Sequence, residues 1–179
     1  MTTDLMGETQ LICPPVQEHL TTQVVIVGSG AAGMRTALDL ADAGVPTLLV
    51  TRGELTDSAT DWAQGGLAAV WRADDSVDLH VADTLTAGAG LCDEQAVRTL
   101  VTRAPGALRR LMADGASFDT DDAGDIDLHL EGGHHARRIL HAGGDQSGHE
   151  VEVTLARRAG ALDVCDHCLL YTSPSPRDK

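Results

Sequence analysis

The sequence predicts an α/β fold built on a parallel sheet, and three observations carry that prediction. Four branched apolar residues, Val24-Val25-Ile26-Val27, run straight into Gly28-Ser29-Gly30-Ala31-Ala32-Gly33, a G-x-G-x-x-G. A helical period starts at the last glycine, with Met34, Ala37, Leu38 and Ala41 on one face and Arg35, Asp39 and Asp42 opposite. Gly44 stands where such a helix stops, and Pro46-Thr47-Leu48-Leu49-Val50-Thr51 reads as a second buried strand. Together these make a complete β-α-β unit of the Rossmann-like kind.

Each part of that unit has a chemical reason. Gly28 allows the tight turn, Gly30 lets backbone approach a pyrophosphate, and Gly33 permits close helix–strand packing. The helix N-terminus adds amide donors and a positive dipole. A glycine turn of purely structural purpose is the plainer reading of the triplet alone. The strand, helix and strand around it favour dinucleotide binding.

Bulk properties narrow the partners. A chain of 179 residues can bury one real core. Its formal net charge of −14 argues against nucleic acid or an anionic membrane, either of which wants a basic face. No apolar run approaches the ~20 residues needed to span a bilayer. Met1 to Gln23 lacks the basic start and apolar core of a secretory signal, so residues 1–22 read as a polar lead-in. The four cysteines, Cys13, Cys92, Cys165 and Cys168, form no disulfide framework, which fits a cytoplasmic protein.

The second strand bears on which dinucleotide is bound. NAD-type units place Asp or Glu there for the ribose hydroxyls. Here the place holds Thr51-Arg52, and Glu54 lies beyond it in a turn. A simple NAD-dependent dehydrogenase is therefore disfavoured, and the ribose contact falls to Thr51, Arg52 or a later loop. The next segment, Ser58-Ala59-Thr60-Asp61-Trp62-Ala63-Gln64-Gly65-Gly66-Leu67-Ala68-Ala69-Val70, is a small-residue loop with paired glycines. It suits backbone packed against a flat cofactor or its phosphates, and alone it suits a tight structural loop equally well.

Behind the β-α-β unit, this loop resembles the second flavin-binding segment of the succinate dehydrogenase, fumarate reductase and L-aspartate oxidase flavoproteins. His129-Leu130-Glu131-Gly132-Gly133-His134-His135-Ala136-Arg137-Arg138-Ile139-Leu140-His141-Ala142 strengthens the resemblance, as does Gly143-Gly144-Asp145-Gln146-Ser147-Gly148-His149-Glu150-Val151. Both are similar to the signature of the oxidase branch. The stretch from Asp75-Ser76 through Asp83-Thr84-Leu85 to Ala87-Gly88-Ala89-Gly90-Leu91-Cys92-Asp93 matches too, so the likeness runs from about Gln23 to about Ala161.

That resemblance implies FAD, cradled by Gly28, Ser29, Gly30, Ala31, Ala32, Gly33, Thr51, Arg52, Ser58, Ala59, Thr60, Ala63, Gln64, Gly65 and Gly66. Respiratory members attach flavin covalently to a histidine of the Q-G-G loop. The matching position here is Ala59, so the FAD is expected to be non-covalent. Glu131 sits where the oxidase branch has E-G-G-H and the dicarboxylate-only enzymes do not. An amino acid substrate carries an ammonium that succinate lacks, and a carboxylate is its natural partner. Taken without the motif, Glu131 reads as a surface acid at a hairpin tip. His134, in the same motif, is expected to line the substrate pocket.

The implied substrate is L-aspartate, oxidised to iminoaspartate as the first step of de novo NAD synthesis. Oxygen or fumarate would be the electron acceptor, with a functional link to quinolinate synthase. In the family the chain continues into a capping domain, a return to the flavin domain and a helical C-terminal domain. Residues 23–162 are then the N-terminal part of a Rossmann-like FAD-binding domain, truncated before those domains. The family's catalytic arginine would lie outside this chain, leaving no catalytic residue within it and no oxidase activity. Residues 163–179 read as a non-homologous tail, which removes Cys165-Asp166-His167-Cys168 as a redox or zinc motif. The alternatives are a fumarate reductase or succinate dehydrogenase-like flavoprotein and a non-catalytic flavin-binding remnant.

The remaining features read as scaffold. His129, His134, His135 and His141 invite a metal, but their spacing fits no metal motif and Gly132-Gly133 argues for a loop. Of Arg137 and Arg138, one is expected to face flavin or a carboxylate and the other solvent. Ser76 should cap one helix, and a pair of helices should follow Asp93, the second opening at Pro105 and ending before Gly115. Asp119 to Asp125 reads as a turn between strands. Ser147-Gly148-His149-Glu150 has the form of a capping box on a helix running to Gly160.

Overall fold

The computed structural model of the chain describes residues 21–160 and Leu162. The lead-in before residue 21, the tail 163–179 and Cys13, Cys165 and Cys168 lie outside the described residues. The β-α-β unit is present as read: β1 (Val24–Val27), α1 (Ala31–Asp42) and β2 (Thr47–Val50). The strands pair in parallel, with Val24 opposite Thr47 and Val27 opposite Val50. Gly28 has a φ of +108°, open only to glycine at low cost. A Cβ on Gly33 would stand 1.9 Å from the Gly28 carbonyl oxygen, so the helix can leave the strand this closely only without a side chain. Met34, Ala37 and Leu38 are buried, and Val25 and Val27 point outward, 57% and 66% exposed.

A second layer follows: β3 (Leu67–Ala68), α2 (Val77–Ala87), α3 (Glu94–Ala113), β4 (Leu128–His129), β5 (Ile139–Leu140) and α4 (Ser147–Ala159). The three short strands form an antiparallel sheet in the order β3-β5-β4. Two apolar clusters result. Met34, Leu38 and Leu49 pack against Leu155, Ala156 and Ala159, so α4 covers α1 and β2. Ala69, Leu108, Phe118, Leu128 and Leu140 make the other, and Leu111 of α3 packs against both. Asp114, at the end of α3, ties the helices by pairing with Arg35 of α1 at 2.7 Å and Arg158 of α4 at 3.2 Å.

Local signals held at several ends. Ser76 caps α2 by accepting from the Leu79 amide, and Asp93 caps α3 by accepting from the Ala96 amide. Asp121 organises the Asp-rich turn by accepting from the Ala123 and Asp125 amides. Two local readings were overturned. The expected pair of helices after Asp93 is one 20-residue helix with Pro105 inside it. An interior proline costs roughly 3 kcal/mol. Burying Val101 and Leu108 on one continuous stripe returns about 1.5–3 kcal/mol each, which keeps the helix intact.

The capping box is the second correction. Gln146, not Ser147, occupies the cap position of α4, and no side chain caps it. The Ser147 hydroxyl accepts from the Ala142 amide and Glu150 accepts from the Ser117 amide, so both side chains serve tertiary contacts.

Gly33→Ala is expected to destabilise the fold by about 1–3 kcal/mol through overpacking. Gly106→Ala, whose Cβ would enter open space in α3, is expected to stabilise it by roughly 1 kcal/mol. Urea denaturation of the two variants checks both signs.

Candidate functional site

The glycine-rich turn and the Q-G-G loop meet at one cleft. Gly30 is the cap residue of α1 and offers no side-chain cap to the first turn. The Ala31 amide donates to the Thr60 hydroxyl at 3.1 Å, and the Thr60 amide donates to the Ser58 hydroxyl at 3.1 Å. The start of α4 lies beneath. Gly148 donates its amide to the Ala63 carbonyl at 3.0 Å, and a Cβ there would stand 2.2 Å from the Thr60 carbonyl oxygen. The resulting cavity of about 220 Å³ is lined by Ala31, Thr60, Ala63, Gln64, Gly65 and Gly66, with α4 contributing Ser147, Gly148 and Val151. These three α4 residues are not among the cradle residues the resemblance implies, although a helix start at that place can present amides to a cofactor. The signal for them was the Gly143-Gly144-Asp145 turn just before the helix.

The other cofactor candidates divide. Gly28 and Gly33 shape the turn, and Ala32 is exposed on the first turn of α1. Ser29 and Thr51 share a buried hydroxyl–hydroxyl bond of 2.9 Å that ties the turn to the end of β2. Arg52 and Ala59 are exposed and lie outside the lining of that cavity.

The cleft fits a dinucleotide. A Cβ on Gly30 would meet only the hydroxyls of Thr60 at 3.5 Å and Ser58 at 3.9 Å, ordinary contact distances. The protein itself therefore does not require glycine there, whereas a pyrophosphate laid on the backbone does. First-turn amides of a helix have no partner within it and point at such a group.

The hairpin joining β4 to β5 carries the proposed substrate residues. Glu131 Oε1 is 2.7 Å from His141 Nε2, and the side chain is 45% exposed. His134 turns elsewhere: its Nδ1 is 3.2 Å from Arg138 Nη1 and its ring packs edge-on against His80. It lines a different cavity with Asp83, Gly88, Cys92 and Gly133. Glu131 and His134 are joined through their backbones, the His134 amide donating to the Glu131 carbonyl, but their side chains part.

Residues 23–169 match the FAD binding domain family. The chain belongs to that family. It is 50% identical over 153 residues to the L-aspartate oxidase of Streptomyces coelicolor, covering 84% of this chain and 26% of the relative. Against the L-aspartate oxidase of Mesorhizobium japonicum it is 45% identical, covering 83% of this chain and 29% of the relative. The chain thus spans less than a third of the length of these relatives. Among solved structures, a quinol-fumarate reductase with menaquinol molecules superposes with a TM-score of 0.76 at 27% identity, covering 82% of this chain and 26% of that one. Mycobacterium smegmatis Sdh1 in complex with UQ1 superposes with a TM-score of 0.75 at 27% identity, covering 82% and 27%. The cofactor of this domain is FAD.

Arg138 of this FAD-binding domain is fully buried. It forks onto Asp75, Nε to Oδ2 at 2.8 Å and Nη2 to Oδ1 at 2.7 Å, and reaches Asp83 Oδ2 at 2.7 Å. Arg137 is exposed, so one arginine does face solvent. The carboxylates facing the other belong to the protein rather than to flavin or substrate. Although burial opposes it, the His135 amide and ring and the Arg138 guanidinium hold the Asp83 carboxyl far below the usual carboxylate range. Burial, helped by the Arg138 charge, lowers the neighbouring His80. Among the described residues no group of three or more His, Cys, Asp or Glu is placed to hold a metal ion.

Glu152 on α4 went unnoticed in the sequence. Its side chain is completely buried and neither carboxylate oxygen has a partner of normal hydrogen-bond geometry. Burial pushes its pKa up from 4.5, opposed by the nearby Ser58 and Thr60 hydroxyls and assisted by the Asp61 charge. No periodic or motif signal distinguishes it from the solvated acids around it.

Two outcomes are expected. Gly30→Ala should keep the fold and lower FAD affinity by about tenfold or more, the worth of a charge-assisted contact, as read by flavin titration. Burial favours the protonated form of Glu152 in the folded state relative to the unfolded chain, so this group weakens the fold as pH rises from about 4.5 through its raised pKa. Glu152→Gln should therefore raise stability at neutral pH and lose its advantage below about pH 4, measured by denaturation across pH.

Proposed function

We propose that this chain is the flavin-cradling and amine-recognising part of an L-aspartate oxidase. The observation that carries the reading is Glu131, a half-exposed carboxylate fixed by His141 beside the Q-G-G loop. The 50% identity to the Streptomyces coelicolor oxidase supports it. FAD, when bound, supplies the hydride acceptor for the substrate Cα–H. Glu131 holds the substrate ammonium, and the Thr60–Gly66 loop with the first turn of α1 holds the cofactor. His134 is the less favourably placed member of the substrate set, because its ring is turned to Arg138 and His80.

The product in this reading is iminoaspartate, made in the cytoplasm as the first step of de novo NAD synthesis and passed to quinolinate synthase. Oxygen or fumarate reoxidises the flavin. Ala59 offers no nucleophile where respiratory relatives carry histidine, so the FAD is held non-covalently. No helix among the described residues is long and apolar enough to cross a membrane. The 179-residue polypeptide alone, which spans 26% of the Streptomyces coelicolor relative, is proposed to lack oxidase activity. A succinate dehydrogenase or fumarate reductase-like activity is the second reading, favoured by the likeness to quinol-fumarate reductase.

The test is anaerobic reduction of the flavin in the FAD-loaded protein that carries this chain. Bleaching by L-aspartate and not by succinate supports the oxidase, and the reverse supports the second reading. Acid precipitation should leave the flavin in the supernatant, since yellow protein in the pellet would contradict non-covalent binding. The 179-residue polypeptide should release no peroxide from L-aspartate.

A further inference from the structure

We infer that His141 is a positioning residue for amine recognition, and that Asp119 in turn positions His141. The inference rests on the proposed role of Glu131. A long acidic side chain on an exposed hairpin loop is a poor partner for a substrate ammonium unless something fixes it. His141 supplies that restraint. Its Nδ1 lies 2.8 Å from the Gly144 carbonyl, which can only accept, so Nδ1 carries a hydrogen. Nε2 is thereby left to face Glu131 Oε1 at 2.7 Å, which fixes the carboxylate. The second oxygen, Oε2, makes no hydrogen bond among the described residues and remains available to a cation.

The imidazole is itself held on two sides. The Gly143 and Gly144 amides donate to the two carboxylate oxygens of Asp119 at 2.9 and 3.1 Å, fixing the turn whose carbonyl receives Nδ1. The Asp119 amide donates to the His141 carbonyl at 2.8 Å, so the same residue grips the turn and the strand end. On the other side lies the flavin loop. A Cβ on Gly66 would stand 3.1 Å from His141 Nε2 and 2.2 Å from Ile139 Cγ2, so the second glycine of Q-G-G leaves room for the imidazole. The His129 ring completes the enclosure, edge-on at 4.7 Å. Asp119, the turn, His141 and Glu131 thus form one relay of contacts ending at the loop expected to hold the flavin. Its purpose is discrimination: it orients a carboxylate toward a substrate nitrogen and offers nothing to a dicarboxylate without one.

The experiment compares wild type, His141→Leu, His141→Gln, Glu131→Gln and the double variant Glu131→Gln/His141→Leu in the FAD-loaded protein. His141→Leu is expected to raise KM for L-aspartate about ten- to hundredfold, the range of a charged hydrogen bond. FAD content and competitive inhibition by succinate, which lacks the ammonium, should not change. His141→Gln, which keeps an amide donor toward Glu131, should recover most of the loss. Adding His141→Leu to Glu131→Gln should cost nothing more.

An unchanged KM in His141→Leu overturns the inference, and so does equal loss of L-aspartate and succinate binding, the mark of a merely structural role. Should His141→Leu not fold, Asp119→Asn takes its place: a raised KM for L-aspartate with intact succinate inhibition supports the relay, and an unchanged KM overturns it. Wild-type protein that does not oxidise L-aspartate removes the proposed function and this inference together. Wild type that does, beside an indifferent His141→Leu, removes the inference alone.

Discussion

Arg138 enters the interior with no exposed surface and divides its guanidinium between Asp75, ahead of α2, and Asp83, within α2. Asp83 also accepts from the His135 amide, so the hairpin loop, the start of β5 and α2 are held at one point. Removing one partner of such a buried pair typically costs about 3–5 kcal/mol, because the other charge is left in a medium that cannot solvate it. The direction of β5 follows from this anchor. Ile139 and Leu140 leave Arg138 to pair with β3 and β4, and His141 emerges beside the Q-G-G loop. The candidate site therefore depends on a buried ion network of the protein's own side chains.

What the sequence made legible was local. The β-α-β unit rests on glycine spacing and a helical period. The caps at Ser76 and Asp93 rest on a side chain reaching three residues ahead, and the hairpin on short-range turn chemistry. What it hid was settled across long separations. Pro105 reads as a helix start until Val101 and Leu108 are seen buried on either side of it along one stripe of α3. Ser147 and Glu150 have the spacing of a capping box, yet Ala142 and Ser117 take their oxygens. His141 belonged to the motif carrying the family resemblance, but its use depends on Glu131, Gly144 and Gly66, separated from it by up to 75 positions. Glu152 gave no signal because its distinguishing property is burial.

The candidate FAD cleft is assembled from both ends of the described chain. Its walls are the first turn of α1 and the Q-G-G loop, and its base is the start of α4. The Gly148 amide, which a free helix end would offer to an anion, is already used by the Ala63 carbonyl, and the Ala31 amide by the Thr60 hydroxyl, so both helix starts are tied to the Q-G-G loop. Cofactor that binds only when these segments are together stabilises the folded state by mass action.

Leu111 carries a consequence of a different kind. Its side chain belongs to the rim of both apolar clusters, and Asp114 just after it pins α1 and α4 to the same helix end. Loosening at that end of α3 disturbs both clusters and both flanking helices at once, which couples the two layers energetically.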